Sequence, residues 1–173
     1  TVMSYVNRSH AAEQMGLRDC MKFELPNTRG KLMREARRRR FNLSGRDPIK
    51  VYDARWEVDE FDDAAIVRLF EATYAYGRRL NVDTVTLARD GRLGAARVLE
   101  LAMDTAVRMG LRTIVCPDPI GTTQGYFLAL HTSQEHPNTM GLMVTASHNP
   151  RQYIGVKFTV PTVQAIGYDC GPL

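Results

Sequence analysis

The sequence predicts an α/β protein: a three-layer α/β/α arrangement around a mixed, mostly parallel sheet, with a helical N-terminal extension. From residue 49 onward, short apolar runs alternate with longer segments whose apolar residues recur at helical spacing. Such alternation is typical of a largely parallel sheet covered by helices on both faces. The chain of 173 residues is 44% hydrophobic and 24% charged, a globular composition that excludes collagen-like, low-complexity and fully disordered proteins.

The first 48 residues are expected to form a basic, helical extension, separate from a domain over residues 49–173. Residues 1–50 carry 12 Lys or Arg against 5 Asp or Glu, whereas the remainder is net negative. A helix-compatible stretch ends in four arginines at Arg37–Arg40, and breaker residues follow at 42–45. The arginines could contact nucleic acid or phosphate-rich ligands. A solvated or packed helix end is the favoured reading, so nucleic acid is an unlikely partner.

Within the domain, each element has its own signal. Helical periodicity and caps predict three helices, with Gly110 as a C-terminal stop for the second: from Asp62 or Asp63 to about Leu80, from Ala95 to Met109, and from Thr122 or Thr123 to about Leu130. Short apolar runs predict five strands, at Ile49–Tyr52, Thr84–Ala88, Arg112–Cys116, Gly141–Thr145 and Val156–Val160.

The chemistry is expected at the carboxyl ends of the strands, where open α/β sheets bind ligands. After the strand at 141–145 the chain reads TASHNP, which places Ser147 beside His148 and then Asn149-Pro150, a turn-forming pair. A hydroxyl on a fixed turn suits nucleophilic catalysis. An adjacent Ser-His pair alone does not identify a reaction, and a serine hydrolase is disfavoured because no G-x-S-x-G elbow is present.

The string TASHNP, followed by a tyrosine and G-x-K-F ending at Phe158, closely resembles the active-site serine loop of the α-D-phosphohexomutases, the family of phosphoglucomutase and phosphomannomutase. Two earlier segments agree in order: ARDGR at 88–92 resembles the family's G-R-D-x-R, and YDAR at 52–55 resembles its Y-D-x-R-G. A proline-bearing loop at 117–121 also falls where the family has one. The resemblance covers about residues 50–160.

The resemblance implies domain I of an enzyme that interconverts hexose 1-phosphates and 6-phosphates through a phosphoserine and a bisphosphorylated sugar. It implies a hexose phosphate substrate, further domains of the same enzyme as partners, and Mg²⁺ as cofactor, with the phosphate on Ser147 among the metal ligands. The roles carried over are catalytic for Ser147, His148 and Lys157, substrate- or phosphate-binding for Tyr52, Arg55 and Asn149, and loop support for Arg89, Asp90 and Arg92.

The chain also departs from the family pattern. Trp56 stands where the family has Gly, Ile154 stands where it often has Asn, and no D-G-D-x-D-R magnesium loop occurs. The resemblance therefore implies a fragment that does not complete a mutase cycle alone. The alternative is a non-catalytic sugar-phosphate-binding or regulatory module with the same fold.

A cytoplasmic protein without membrane contact is expected. No apolar run approaches the roughly 20 residues that span a bilayer. The first ten residues contain no apolar signal-peptide core.

Overall fold

The computed structural model describes residues 48–50, 53–161 and 164–166. The predicted N-terminal extension, the arginine run and Tyr52 lie outside the described residues, so the proposed boundary between residues 48 and 49 stays a prediction. No helix in the described ranges is long and apolar enough to cross a membrane.

Three helices and one six-stranded sheet make up the described part of the chain. The strands are β1 (Ala54–Glu57), β2 (Thr84–Arg89), β3 (Arg112–Pro119), β4 (Thr139–Val144), β5 (Tyr153–Val160) and β6 (Gln164–Ile166). The helices are α1 (Asp63–Arg79), α2 (Ala95–Arg108) and α3 (Thr122–Glu135). The strand order is β1-β5-β4-β2-β3, and β6 also pairs with β5. These elements confirm the predicted α/β class.

The sheet is mixed, as predicted, but its antiparallel part is larger than expected. Strands β3, β2 and β4 run parallel, whereas β5 pairs antiparallel with β4, β1 and β6. The link from β4 to β5 is the loop at 145–152. This loop is too short for the crossover that a parallel neighbour needs, so β5 returns antiparallel. "Mostly parallel" therefore holds for the β3-β2-β4 part alone.

The helices cover both faces, which gives the predicted three layers. On β4, Met140, Leu142 and Val144 join the main hydrophobic core with α1 and α2. The intervening positions face α3: a Cβ at Gly141 would lie 2.7 Å from Cβ of Ala129, and one at Gly125 would lie 2.8 Å from Sδ of Met143. The two helix–sheet interfaces thus use alternate residues of the same strand.

The ends of the first two helices follow the capping rules. The Asp62 carboxylate accepts a hydrogen bond from the Ala65 N–H (2.7 Å) at the start of α1. Gly110 follows α2 with φ of +70°, the left-handed conformation that glycine adopts without strain.

Four predicted boundaries were wrong. The first strand begins at Ala54, and Ile49 forms only an isolated bridge to it. Strand β5 starts at Tyr153, because its first residues pair with β1. Strand β3 runs to Pro119, and its prolines are tolerated because β3 is an edge strand. Helix α3 follows Gly121, whose N–H donates to the Gln124 side chain (2.7 Å), and continues to Glu135.

Candidate active site

The serine loop at 145–152 begins where β4 ends, next to the loop that follows β2. The two loops are joined at their base, because the Asp90 N–H donates to the Val144 carbonyl (3.0 Å). Ile120, after β3, donates its N–H to the Arg89 carbonyl (2.9 Å). The carboxyl ends of the three parallel strands therefore meet at one edge of the sheet, as the sequence predicted.

Ser147 lies in the left-handed region of backbone space, with φ of +57°. This conformation is uncommon for a residue with a Cβ and is held by surrounding contacts. The Ser147 N–H donates to Oγ1 of Thr145 (3.0 Å), and its own Oγ lies 3.2 Å from Nδ1 of His148. The hydroxyl is thus half-buried in a fixed turn, with an exposed imidazole within hydrogen-bonding distance.

Asn149 fixes the same turn from inside. Its backbone N–H (3.2 Å) and its side-chain Nδ2 (2.8 Å) both donate to the Ala146 carbonyl. The Tyr153 N–H donates to the Pro150 carbonyl (3.0 Å), which closes the loop onto β5. The structure therefore places the Asn149 amide nitrogen against the loop backbone.

Arg92 holds the loop from the β2 side. Its guanidinium donates to four backbone carbonyls of the loop and its exit, those of Ser147 (2.5 Å), Asn149 (2.8 Å), Pro150 (3.0 Å) and Tyr153 (3.2 Å). One planar, permanently charged group thus satisfies four carbonyl oxygens that converge on it.

Asp90 and Arg89 lie behind Arg92. The Asp90 carboxylate accepts from the Arg92 backbone N–H (3.0 Å), and its other oxygen lies 3.3 Å from Nε of the same residue. Arg89 donates to the Asp90 carbonyl (3.3 Å). The three residues that the sequence grouped as loop support are therefore in mutual contact, and Arg92 is the one that contacts the serine loop.

A second group gathers charge on β1 and β5. Oδ2 of Asp53 lies 2.6 Å from Nη2 of Arg55 and 3.3 Å from Nζ of Lys157. Asp53 and Lys157 are buried, and Arg55 is partly exposed. Sequence reasoning selected Arg55 and Lys157 but missed Asp53. The available signal was its place in the YDAR motif, two residues before Arg55.

Gly155 connects the two groups. It is paired with Arg55 in the β1–β5 register, and its carbonyl accepts from the Thr145 N–H (2.8 Å) at the start of the serine loop. A Cβ at Gly155 would lie 2.2 Å from the Ala54 carbonyl oxygen and 3.0 Å from Cγ of Arg55. The lack of a side chain here lets β1 and the Arg55 stem lie close to the loop.

This arrangement was compared with known proteins. The family model of the phosphoglucomutase/phosphomannomutase alpha/beta/alpha domain I matches residues 47–168. The chain belongs to this family.

Relatives of the family agree over the same region. The phosphohexose mutases of Xanthomonas campestris pv. campestris are 33% identical over 124 residues, which is 71% of this chain and 26% of theirs. The phosphomannomutase of Salmonella typhimurium is 31% identical over 123 residues, 71% of this chain and 25% of that protein. A solved structure from Thermus thermophilus, described as a phosphomannomutase, superposes with a TM-score of 0.60 at 29% identity and covers 69% of this chain and 27% of that one. The chain thus spans about a quarter of the length of these relatives.

The two departures from the family motifs lie opposite each other in the structure. Trp56 and Ile154 are paired in the β1–β5 register, and both are buried in the hydrophobic core. Trp56 packs against Phe61 with ring centroids 6.0 Å apart. Because side chains alternate along a strand, both residues point away from the face that carries Arg55 and Gly155. The added bulk therefore lies in the core.

Magnesium is a family expectation that the described residues do not meet by themselves. Within the described ranges there is no group of three or more His, Cys, Asp or Glu side chains arranged to hold a metal ion. Besides a phosphate on Ser147, any ligands would have to come from other parts of the enzyme.

Proposed function

We propose that this chain supplies the serine-bearing domain of a phosphohexomutase, which interconverts hexose 1-phosphates and 6-phosphates. The observation that carries the proposal is the fixed placement of Ser147, in a left-handed turn held by Arg92 and with its hydroxyl beside His148. Phosphoryl transfer depends on in-line placement and neutralisation of charge more than on covalent assistance. A rigid serine loop beside a cationic group supplies both.

The proposed transfer proceeds in two halves. In the first, a sugar hydroxyl oxygen bonds to the phosphorus carried on Ser147 Oγ while the Oγ–P bond breaks. The sugar hydroxyl loses its proton to a base, and Oγ regains a proton. The product is a bisphosphorylated sugar. After the sugar reorients, its other phosphate returns to Oγ by the reverse exchange, so that the serine is phosphorylated again.

Each residue has a part that fits its position. His148, 3.2 Å from Oγ, can exchange a proton with the serine oxygen. Arg55 and Lys157 bring positive charge toward the transferred phosphoryl group, and Lys157 can also take part in proton transfer. A substrate contact from Asn149 and from Tyr52, which lies outside the described residues, also belongs to this proposal.

Magnesium bound to the phosphoserine would neutralise charge on the transferred group. The described residues do not by themselves form its site, so no step is derived through the metal. Further domains of the same enzyme would supply the missing ligands and the rest of the sugar site, and the isolated chain should show no mutase turnover. A cytoplasmic location is part of the same proposal.

Replacement of the serine tests the proposal in the complete enzyme. We expect Ser147→Ala to lower mutase activity by a factor of about 1,000 or more, because the phosphoryl carrier is lost. Ser133→Ala is the matched control, since Ser133 lies in α3, where its hydroxyl donates to the Leu130 carbonyl of the same helix. After incubation with a hexose bisphosphate, mass spectrometry should find phosphate on Ser147. Normal activity of Ser147→Ala would overturn the proposal.

The alternative was a non-catalytic module with the same fold, motivated by Trp56 and Ile154. Their burial in the core supports the mutase proposal, because neither residue lies on the face that carries Arg55. Normal mutase activity of the complete protein would exclude the alternative.

A further inference from the structure

Asp53 is a buried carboxylate that two cationic side chains share. The residue is 1% exposed. Its Oδ2 accepts from Nε of Arg55 (2.8 Å), lies 2.6 Å from Nη2 of the same residue, and accepts from Nζ of Lys157 (3.3 Å). Its Oδ1 has no hydrogen-bond partner in the described part of the chain. The hold on both cations therefore passes through one oxygen.

Stability alone does not account for such a group. Taking a carboxylate and an ammonium out of water is costly, and a well-packed apolar pair of similar volume is often as stable or more so. Without Asp53, the charges of Lys157 and Arg55 would also repel each other at short range in a poorly solvated place. The carboxylate therefore determines where the two cations can lie.

The group is tied to the serine loop through β5. Arg55 is paired with Gly155, the Gly155 carbonyl accepts from the Thr145 N–H, and Oγ1 of Thr145 accepts from the Ser147 N–H. Two positive charges and one negative charge leave the group net positive, which favours a phosphoryl group over a neutral ligand.

We propose that Asp53 is a positioning residue of the phosphoryl-transfer site, whose carboxylate holds Lys157 and Arg55 in one fixed arrangement beside the serine loop. The inference rests on the proposed function for the reaction that it serves, and the holding of Lys157 can be measured separately. Asp53 itself does not touch the reacting atoms, since it acts through the two cations.

The first experiment measures how accessible the Lys157 amine is in the 173-residue chain. Limited acetylation with acetic anhydride, followed by mass spectrometry, gives the labelling ratio of Lys157 to the exposed Lys50. We expect Asp53→Asn to raise this ratio about tenfold, the equivalent of one lost charge-assisted hydrogen bond. Asp53→Glu should raise it less, because a carboxylate remains.

Asp83→Asn is the matched control, because Asp83 is an exposed aspartate that precedes the other end of β2. Its labelling ratio should equal that of the unaltered chain. An unchanged ratio in folded Asp53→Asn would overturn the inference. If Asp53→Asn does not fold, Asp53→Asn/Lys157→Met decides: recovery of the fold supports the inference, and failure to recover overturns it.

The second experiment uses the kinetics of the complete enzyme. We expect Asp53→Asn to lower kcat about tenfold or more with a smaller change in KM, and Asp53→Glu to restore part of the loss. On a Lys157→Met background, Asp53→Asn should have a much smaller effect, because the side chain it positions is gone. Full additivity of the two changes would count against positioning.

The two proposals fail in different ways. Full activity of Ser147→Ala removes the mutase mechanism but leaves the labelling ratio intact. An unchanged ratio in folded Asp53→Asn removes the positioning role while the phosphoserine chemistry stands.

Discussion

Arg92→Lys is expected to loosen the serine loop without unfolding the domain. The replacement keeps the positive charge but removes the planar fork that reaches four carbonyls. A lysine ammonium in the same place can reach only part of this set. The carbonyls left behind include those of Asn149 and Pro150, which lie near exposed residues and can bond to water.

The expected magnitude follows from the contacts. A hydrogen bond to a charged group contributes about 1.5–3 kcal/mol. We count two lost bonds at the lower value, since the freed carbonyls regain water, which gives a loss of about 3 kcal/mol. Because each 1.4 kcal/mol is a factor of ten, local opening of the loop should become about 100-fold more frequent.

Amide hydrogen exchange measures this opening directly. The reporters are the N–H groups of Ser147, Asn149 and Tyr153, each bonded within or across the loop. They should exchange about 100-fold faster in Arg92→Lys. The amide of Leu87, in the middle of the buried strand β2, should keep its protection.

Arg97→Lys is the matched control, because Arg97 lies on α2 and its ion pair with Asp63 is solvent-exposed. Its loop amides should exchange at the unaltered rate. The reasoning fails if the loop amides of Arg92→Lys stay within about threefold of the unaltered protein, well below the shift expected from two bonds. Equal acceleration at Leu87 would also refute it, since Arg92 would then support the whole fold.

Two further substitutions test the packing around the site and the core. Gly155→Ala should lower the free energy of unfolding in urea by about 3 kcal/mol, because the new Cβ would meet the carbonyl oxygens of Ala54 and Thr145; a loss below about 1 kcal/mol would contradict the close approach. Tyr74→Phe removes the hydrogen bond to the Ala102 carbonyl (2.9 Å) and should cost about 1 kcal/mol at neutral pH. Burial raises the pKa of Tyr74, so above about pH 10 the unfolded chain releases a proton that the folded chain retains. The unaltered protein should therefore lose stability as the pH rises past that value, and its advantage over Tyr74→Phe in urea unfolding should shrink; an advantage that is equal at neutral pH and at about pH 10.5 would contradict the assignment.

The sequence predicts best those elements whose signals are local. Helices α1 and α2 carry wide apolar faces and clear ends, and both were located within two residues. Helix α3 ends five residues later than predicted, because the face it buries is made of small residues, Gly125, Ala129 and Thr132. Small residues let α3 approach the sheet closely, and they leave little apolar periodicity to detect.

The candidate site divides in the same way. The serine loop and its supporting arginine stand in motifs that can be read from the chain. Asp53 was missed because its importance comes from a contact with Lys157, 104 residues away. Trp56 and Ile154 looked like changes beside the site, and only the strand register shows that they face each other in the core.

Strand β5 couples the fold to the site through its two faces. Ile154, Val156 and Phe158 point into the core, whereas Gly155 and Lys157 lie on the opposite face, with the charged group and the base of the serine loop. A slip of one residue in the β4–β5 register would exchange the two faces and bury the lysine in the apolar core. The energy that keeps three large apolar side chains in the core therefore also keeps Lys157 beside Asp53, and a substitution that disturbs this core face should disturb the site before it unfolds the sheet.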